Sequence, residues 1–353
     1  MSTSDLPTRR PTIADVAARA GVSNGAVSFA LNGAAGVSQR TRERILAAAE
    51  ELGWRPNAVA QALSRSRAET VGLVLSRPMR TLGTEPFFNQ LSSGLSARLA
   101  ESDLGLQTFI VANADDELAT YRNWWLQRRV DGFVLLDPII DDHRIAFLEE
   151  AGAPGVLIGP PEASDPLSVV WSDDVEAMQR CIDHLVELGH RRIAHVGGIP
   201  GFRHVDRRAA TLAATLRAGR LDAAMTYPAD FSEDSAAHVT AELLSSADPP
   251  TAVIYDSDLM ALAGVGVALQ AGVRIPEELS VVSFDDSPLT RLSHPAITAL
   301  TRDTFELGET AATVLVEVLD GEPVRRVQMP TPTLAVRAST SVPAAVAGKT
   351  DRT

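Results

Sequence analysis

Short apolar runs alternate with amphipathic helical stretches from residue 70 to about residue 286 of this chain. TVGLVLS, LQTFIVA, GFVLL and PGVLIG form a first series of such runs, and RRIAHVGG, TAVIYDS and LSVVSFDD form a second. This alternation predicts βα units and doubly wound parallel sheets, and two series predict two lobes. Ligands of such sheets bind at the carboxyl ends of the strands. We therefore expect a binding site in a cleft between the lobes.

The first 55 residues carry a different, all-helical pattern. Thr12 and Asp15 fit a capping box at the start of one short helix, and Gly21 fits its end. Ser23 fits the cap of a second short helix, and Ser38 fits the cap of a longer third one. Two short helices joined by the tight turn AGVS are typical of a helix-turn-helix, a DNA-binding arrangement.

The charge distribution supports this interpretation. The chain has a formal net charge of −13, yet residues 1–67 contain nine arginines against five acidic residues. Residues 68–353 contain 23 basic and 40 acidic residues. A basic segment on an acidic body indicates an electrostatic footprint for nucleic acid confined to the head, with chance fluctuation as the alternative.

Several classes of protein lack support in the sequence. Cys181 is the single cysteine, which excludes a disulfide framework and a thiolate metal cage. The N-terminus has no apolar signal-peptide core, and no uncharged apolar run is long enough for a membrane span. None of the HExxH, GxSxG and GxxxxGK[ST] motifs occurs. We expect a cytoplasmic, nucleoid-associated protein that is not an enzyme, with no cofactor and no metal.

Motifs in register along the chain resemble the LacI family of bacterial transcription regulators. TIADVAARAGVS is similar to the family's opening helix and turn, and VSQRTRERILAAAEELGWRPNAVAQAL is similar to its third helix and hinge. LGHRRIAHVGG, RIPEELSVVSFDD and AVRAST follow in the family's order. The resemblance spans roughly residues 11–340. It implies a homodimer or tetramer on palindromic operator DNA, and a small effector, often a sugar or nucleoside, that changes the affinity for DNA.

The predicted fold is an all-α helix-turn-helix domain followed by an α/β, two-lobed, periplasmic-binding-protein-like domain with doubly wound parallel sheets. We assign residues 1–55 to the DNA-binding domain, 56–69 to a hinge helix and linker, and 341–353 to a disordered tail. The effector-binding and dimerisation domain spans 70–340. Its first lobe is predicted as 70–165 plus about 298–325, and its second as 166–297 plus about 326–340.

The resemblance places Asn24, Gly25 and Phe29 at base-facing positions of the second helix. Asn24 can contact adenine, whereas Gly25 has no side chain to read a base. Family members often have arginine at the position of Phe29, which is suited instead to thymine methyl groups; packing onto the small core is the alternative. The other predicted DNA contacts of the head are Thr12, Ser23, Ala26, Ser28, Asn32, Ser38, Arg40 and Thr41.

The hinge resembles the family's segment that folds on DNA and enters the minor groove as a pair. Asn57, Ala60 and Leu63 match the family's positions, and Leu63 would act as an apolar wedge at a central base step. Ordering a hinge costs about 1–2 kcal/mol per residue. Anything that separates the two hinges therefore weakens DNA binding, which would couple the body to the head.

The effector site is predicted from the resemblance and from strand ends together. Phe87 and Phe88 in EPFF resemble the family's NPFF, and Arg208 matches a family arginine that precedes a glycine, here Thr211. Ser257 replaces the family's asparagine, which predicts a ligand set unlike the common sugar pattern. The full predicted set is Phe87, Phe88, Asp137, Trp171, Arg208, Asp256, Ser257 and Asp285. Helix capping is the alternative for the acidic residues.

Four functions remain to be compared. The first is a repressor whose operator affinity responds to a small effector, a sugar or a related metabolite. The second is a transport protein of the same lobe fold, which the basic head argues against. The third is a sugar-active enzyme with a DNA-binding head, which the missing catalytic motifs argue against. The fourth is a regulator whose degenerate cleft responds to no sugar, which the departures at Ser257 and Thr211 leave open.

Overall fold

A computed structural model describes residues 11–31, 36–55, 67–77, 83 and 85–344 of the chain. The chain divides into two compact units, Met1–Arg67 and Ala68–Thr353, here called the head and the body. Most of the predicted hinge, residues 56–66, lies outside the described residues. The end of the predicted linker belongs to the body, because the amides of Ala68 and Glu69 each donate to the Asp131 carboxylate at 2.7 Å.

The head contains the three predicted helices, α1 (Ile13–Ala20), α2 (Asn24–Leu31) and α3 (Gln39–Glu51). The capping box of α1 is present, because the Thr12 amide donates to the Asp15 carboxylate at 2.7 Å and the Asp15 amide donates back to Thr12 Oγ1. Gly21 ends α1 at φ 62°, in the left-handed region that favours glycine. A small core holds the helices together: Val16, Ala17, Ala20, Val27, Ala30, Ile45, Ala48 and Ala49.

The first lobe of the body is a parallel sheet with helices on both faces. Its strands are β1 (Thr70–Ser76), β2 (Gly105–Val111), β3 (Gly132–Leu136), β4 (Gly155–Ile158), β5 (Ser168–Trp171) and β11 (Arg326–Gln328). They lie in the order β11-β5-β4-β3-β1-β2. The helices are α4 (Pro86–Ala100), α5 (Ala114–Leu126), α6 (His143–Ala151) and α12 (Thr304–Leu319). One apolar core lies under α4 and α12, and a second lies under α5 and α6.

The second lobe repeats this architecture. Its strands are β6 (Arg192–Gly197), β7 (Ala223–Pro228), β8 (Ala252–Tyr255), β9 (Ser280–Ser283), β10 (Thr298–Thr301) and β12 (Thr333–Ala335). They lie in the order β12-β10-β9-β8-β6-β7, parallel except for β12. The helices are α7 (Asp174–Glu187), α8 (Arg203–Arg217), α9 (Glu233–Ser245), α10 (Asp258–Gln270) and α11 (Pro288–Leu292). The predicted fold class, a helical head and a two-lobed α/β body, is confirmed.

The lobe boundaries differ from those predicted. The strands β5 and β11, assigned to the second lobe, lie in the first sheet, where Val327 pairs with Val170. The strand β10, assigned to the first lobe, pairs with β9 in the second sheet. The chain therefore crosses between the lobes around residues 172–173, 302–303 and 329–332. Partner strands are selected by packing between distant segments, which the local apolar pattern does not encode.

The helices α4 and α12 approach each other closely through two glycines. A Cβ atom on Gly94 would lie 2.0 Å from the Phe305 carbonyl oxygen, and one on Gly308 would lie 2.4 Å from the Leu91 carbonyl oxygen. This contact joins the helix after the second crossover region to the helix after β1. The first residues of α4 line the cleft described below.

The predicted disordered tail begins too early. The Ser341 amide donates to Ser280 Oγ at 3.1 Å, and the Ser341 carbonyl lies 2.9 Å from His190 Nε2. These bonds attach Ser341 to the second lobe, whereas residues 345–353 lie outside the described part of the chain. Within the described residues, no helix has the length and hydropathy that a membrane span requires.

Candidate DNA-binding surface and effector cleft

The surface of α2 exposes the side chains predicted to face bases. Phe29 has half of its side chain exposed, at 51%, so it does not pack into the head core as the alternative required. Asn24 and Gly25 are also exposed, and a Cβ on Gly25 would have open space apart from Ser23 Oγ at 3.9 Å. The exposed face of α2 therefore presents the amide of Asn24 and the ring of Phe29, with no side chain at Gly25. Base contacts by these residues remain a prediction.

The other predicted DNA contacts of the head include residues that also cap helices. Ser23 Oγ accepts from the Ala26 amide at 3.2 Å, and Ser38 Oγ accepts from the Thr41 amide at 3.3 Å. Hydroxyls at helix starts lie beside unpaired amides, a favourable place for a phosphate. Thr12, Ser23, Ser38 and Arg40 are exposed, while Ala26, Ser28 and Thr41 are partly buried. Asn32, Asn57, Ala60 and Leu63 lie outside the described residues.

The cavity between the lobes, the inner cleft, is lined by the ends of strands and helices from both sheets. Its volume is about 70 Å³. It brings together seven of the eight predicted effector residues: Phe87, Phe88, Asp137, Trp171, Arg208, Asp256 and Asp285. It also contains side chains that the sequence did not indicate: Arg77, Glu85, Asp174, His204, Phe231 and Arg302.

Arg208 is held rigidly at one wall of the inner cleft. Its guanidinium donates to Asp174 Oδ1 at 2.7 Å and lies 3.1 Å from Asp256 Oδ1. Its Cζ atom lies 3.6 Å above the ring of Phe284, a cation–π contact. Burial would lower the pKa of Arg208, but the two carboxylates outweigh it and raise the pKa. Arg208 is therefore a fixed cation.

Asp256 helps to hold Arg208 in place at this wall of the inner cleft. Its carboxylate accepts from the Gly198 amide at 2.8 Å and lies 2.9 Å from His195 Nε2, besides contacting Arg208. Burial would raise its pKa, but the contacts with Arg208 and His195 hold the pKa well below its usual range. Both carboxylate oxygens are used by the protein, so Asp256 positions Arg208.

Arg77 occupies the opposite wall, among aromatic rings. Its Nε donates to Asp137 Oδ2 at 3.1 Å, and its Cζ lies 4.2 Å from the centre of the Phe231 ring and 5.4 Å from that of Phe88. Asp137 and Phe231 have φ values of 54° and 67°, the left-handed region that non-glycine residues rarely adopt. Backbone strain of this kind is concentrated at binding sites.

Arg302 and Asp285 form the third charged pair of the inner cleft. Arg302 Nη2 donates to Asp285 Oδ1 at 2.6 Å, and its guanidinium lies 5.8 Å from the ring of Phe87. Asp285 follows β9 and Arg302 follows β10. Two adjacent strand ends therefore supply one ion pair, and Asp285 does not cap the next helix.

Three buried polar atoms of the inner cleft have no hydrogen-bond partner among the described residues. They are Nη1 of Arg77, Oε2 of Glu85 and Nε of Arg302. Buried polar groups in folded proteins are almost always paired, so unpaired ones need an explanation. Three such atoms in one cavity indicate a site for a polar ligand.

Ser257 is not among the residues that line the inner cleft, and its effector contact stays a prediction. It is 1% exposed, and its Oγ accepts from the Met260 amide at 3.3 Å as the cap of α10. Capping explains the residue type without a ligand. Asp173 likewise caps α7, by accepting from the Glu176 amide at 3.0 Å. Thr211, in doubt at the sequence level, fits α8 because its hydroxyl donates to the Arg207 carbonyl.

A second cavity, the lateral pocket, adjoins the inner cleft and shares Arg77, Leu136 and Asp137 with it. Its volume is about 660 Å³. Its lining is largely apolar and comes from both lobes: Val74, Leu75, Ile110, Val111, Leu118, Ile139, Ile199 and Phe202. Pockets of this size suit small organic ligands. Within the described residues, no group of side chains is arranged to hold a metal ion.

The helix-turn-helix head and the two-lobed body with a polar cleft define a class: DNA-binding proteins with a body like that of periplasmic binding proteins. Comparison with known proteins agrees. Residues 12–57 match the model of bacterial regulatory proteins of the lacI family, and residues 182–340 match the periplasmic binding protein-like domain. The HTH-type transcriptional regulator CelR of Thermobifida fusca is 36% identical over 327 residues, which cover 91% of this chain and 95% of CelR.

Solved structures give the same result. The CelR–cellobiose complex is 33% identical with a TM-score of 0.71, and the match covers 94% of this chain and 100% of that one. The lac repressor dimer bound to operator and the anti-inducer ONPF is 26% identical with a TM-score of 0.82, with the same coverage. The chain belongs to the LacI family of bacterial regulatory proteins. The relatives named here are transcriptional regulators and not enzymes.

Proposed function

We propose that the protein is a repressor that binds a palindromic operator as a homodimer and acts in the cytoplasm, at the nucleoid. The observation that carries this proposal is the exposed face of α2, the second helix of the helix-turn-helix. Such a helix lies in the major groove with its first residues on base edges. Asn24 can read adenine and Phe29 can contact thymine methyl groups. The basic head beside an acidic body confines the attraction for phosphate to this unit.

The hinge carries a large share of sequence selection in this proposal. The α2 face has one hydrogen-bonding reader, Asn24, so direct readout by the head is limited. Leu63, outside the described residues, resembles the wedge that opens a central base step. A paired hinge requires two chains, which is why a dimer and an inverted repeat belong to the proposal. Tetramers fit the same geometry.

The effector is a saccharide in this proposal. The inner cleft combines carboxylates and guanidiniums with the rings of Phe87, Phe88 and Trp171, the composition that sugar hydroxyls and ring faces require. The structure of the relative CelR with cellobiose supports a sugar. The three unpaired buried atoms argue against a degenerate cleft, because a site without a ligand would gain stability by losing them.

Binding requires a change in the lobes. The volume of the inner cleft is about 70 Å³, well below the roughly 300–1,000 Å³ of typical small-molecule pockets. A sugar ring therefore enters only when the lobes separate or side chains move. A ligand that binds one lobe arrangement better shifts the population toward it. Through the hinge, that shift changes the affinity for DNA.

The test is selection of genomic DNA fragments by the purified full-length protein, followed by sequencing of the bound sites. We expect an inverted repeat with a C·G-containing central step. Recovery of asymmetric sites or single half-sites as the best binders would contradict the dimer with paired hinges.

A further inference from the structure

Glu85 lies at the start of α4, but its side chain does not cap the helix. It is the N-cap residue, yet its side chain makes no capping hydrogen bond. Its side chain is nevertheless buried, with 4% of the residue exposed, and it lines the inner cleft. An N-cap carboxylate normally accepts from the first amides of its helix. This carboxyl group is therefore aimed at the cavity and not at the backbone.

The surroundings of Glu85 leave its outer oxygen without a partner. Oε2 has no hydrogen bond among the described residues, and neither do Nη1 of Arg77 and Nε of Arg302 in the same cavity. The set comprises two donors and one carboxyl oxygen. A polyol, whose hydroxyls both donate and accept, can give each of the three atoms a partner, whereas a group that only accepts leaves the ionised carboxylate unpaired.

The charges of the inner cleft are matched before a ligand enters. Arg77 is paired with Asp137, and Arg302 with Asp285. Arg208 is paired with both Asp174 and Asp256. Among the described residues that line this cavity, each guanidinium is paired with a carboxylate, so an anionic ligand would compete with existing ion pairs. Glu85 is an acid beyond this set, and a ligand carboxylate beside it would carry the desolvation cost of a buried charge.

We propose that Glu85 is a specificity-determining residue that accepts a hydrogen bond from a hydroxyl of an uncharged polyol, so that the cleft takes neutral saccharides and rejects sugar acids. This inference rests on the proposed saccharide response and names the class of saccharide. A site built to bond a hydroxyl discriminates strongly against ligands that leave its buried groups unpaired.

The proposed role of Glu85 predicts that saccharide affinity depends on pH, which a purely structural residue would not cause. Burial raises the pKa of Glu85 to about 8, against the lowering effect of Arg77, with Asp285, Asp137 and Asp258 raising it further. A hydroxyl that donates to Glu85 stabilises the ionised form. Affinity for a neutral saccharide should therefore rise from pH 6 to pH 8.5. His204 also lines the cavity, but its contribution to the pH dependence of affinity is the same in the wild type and in the Glu85 variants.

The experiment measures saccharide binding to the full-length protein by calorimetry and thermal melting. The probes are cellobiose, lactose, glucose and galactose, with glucuronate and galacturonate as matched acids of the last two. The variants are Glu85→Gln, which keeps the shape and an acceptor, and Glu85→Ala, which removes the acceptor. Glu101→Ala is the matched control, because Glu101 lies at the other end of α4 with its side chain 72% exposed.

We expect at least one neutral probe to bind, with both acids at least about 100-fold weaker than their neutral counterparts. Glu85→Ala should weaken the neutral probe about 30-fold, and Glu85→Gln about 5-fold at pH 8, with a smaller rise in affinity between pH 6 and 8.5 than the wild type. Glu101→Ala should match the wild type. The melting temperature of ligand-free Glu85→Gln should not fall, since Oε2 has no hydrogen bond to lose among the described residues.

The outcomes separate this inference from the proposed function. Binding of a neutral saccharide that is unchanged in Glu85→Ala, or a pH dependence equal in wild type and Glu85→Gln, would overturn the role of Glu85 alone. Acids that bind as well as their neutral counterparts would overturn the ligand class. Failure of every probe to bind would overturn the proposed saccharide response, and this inference with it.

Discussion

Arg203 of the second lobe donates to Asp165 of the first lobe at 2.8 Å, with side chains only 5% and 3% exposed. Arg203 also binds the Ile139 carbonyl at 3.0 Å, and its own amide donates to the Pro138 carbonyl at 2.9 Å. One residue at the start of α8 thus joins the lobes through both its side chain and its backbone. Lobe separation must break a buried, charge-assisted contact.

Replacement of Arg203 by methionine should destabilise the body by about 3 kcal/mol, because it leaves the buried Asp165 carboxylate without its cation. Urea unfolding measures this change. Arg220→Met is the matched control: Arg220 binds Asp183 at 2.7 Å within the second lobe but is 42% exposed, so its loss should cost less than about 1 kcal/mol. Equal losses for both variants would contradict the role of Arg203 in holding the lobes.

Replacement of Phe29 by arginine should change the preferred operator without unfolding the head. The side chain is half exposed, so the thermal melt should be unchanged, while arginine can bind guanine with about 1–3 kcal/mol of discrimination. Sequencing of DNA bound by the variant measures the change. Leu46→Arg is the control, because Leu46 is 48% exposed on α3. An unchanged recognition sequence for Phe29→Arg would show that this residue does not face bases.

Replacement of Leu63 by alanine should weaken operator binding far more than it changes the stability of the body. The prediction rests on the resemblance of the hinge, since Leu63 lies outside the described residues, and on the cost of unstacking a base step without a wedge, a few kcal/mol. Titration of a labelled inverted repeat and urea unfolding measure the two effects. Leu126→Ala, at a side chain 79% exposed on α5, should leave both unchanged. Operator affinity equal to wild type would refute the wedge.

The stability of the body should fall as the pH drops from about 6.5 toward 4. His190 lies between Thr251 Oγ1 and the Ser341 carbonyl, each at 2.9 Å, and burial lowers its pKa to about 4. The unfolded chain takes up this proton at its ordinary pKa of 6.5, so the contribution is complete above 6.5 and is lost as the pH falls to 4. The loss amounts to at most about 3 kcal/mol.

Unfolding free energies at pH 7 and pH 4.5 test this linkage. His190→Gln should reduce the pH dependence, whereas His238→Gln should not, because the His238 side chain is 76% exposed. Burial also lowers the pKa of His184 and of His204, so part of the dependence should persist in His190→Gln. A dependence as steep as that of the wild type would contradict the contribution of His190.

Local patterns were sufficient for most of the elements and for the fold class. Three features that depend only on neighbouring residues are present in the structure as predicted. They are the capping box at Thr12, the left-handed Gly21 and the apolar strand from Thr70. The edge strand β7, AAMTYP, and the helix α9 were not predicted. The strand β7 is partly exposed and lacks a continuous apolar run, so its pairing with β6 decides its conformation.

Local sequence patterns identified only some of the residues that line the inner cleft. Asp137 and Asp285 were found because they follow apolar strands. Arg77 follows β1 in the same way, at the end of TVGLVLS, and this signal could have identified it. Glu85 carried no such signal, since a lone charge beside a helix start is usually solvated, and Arg302 follows β10, a strand that the apolar pattern did not predict. Their importance arises from burial and unpaired atoms, which depend on contacts between segments far apart in the chain.

The most direct test of the central claim is the affinity of the full-length protein for its selected inverted repeat, measured by fluorescence anisotropy with and without a saturating neutral saccharide that raises its melting temperature. The account predicts a change in Kd of at least about 5-fold, the range of a coupling free energy of 1–3 kcal/mol. A Kd that stays the same at saturating saccharide would contradict the coupling of the inner cleft to DNA binding.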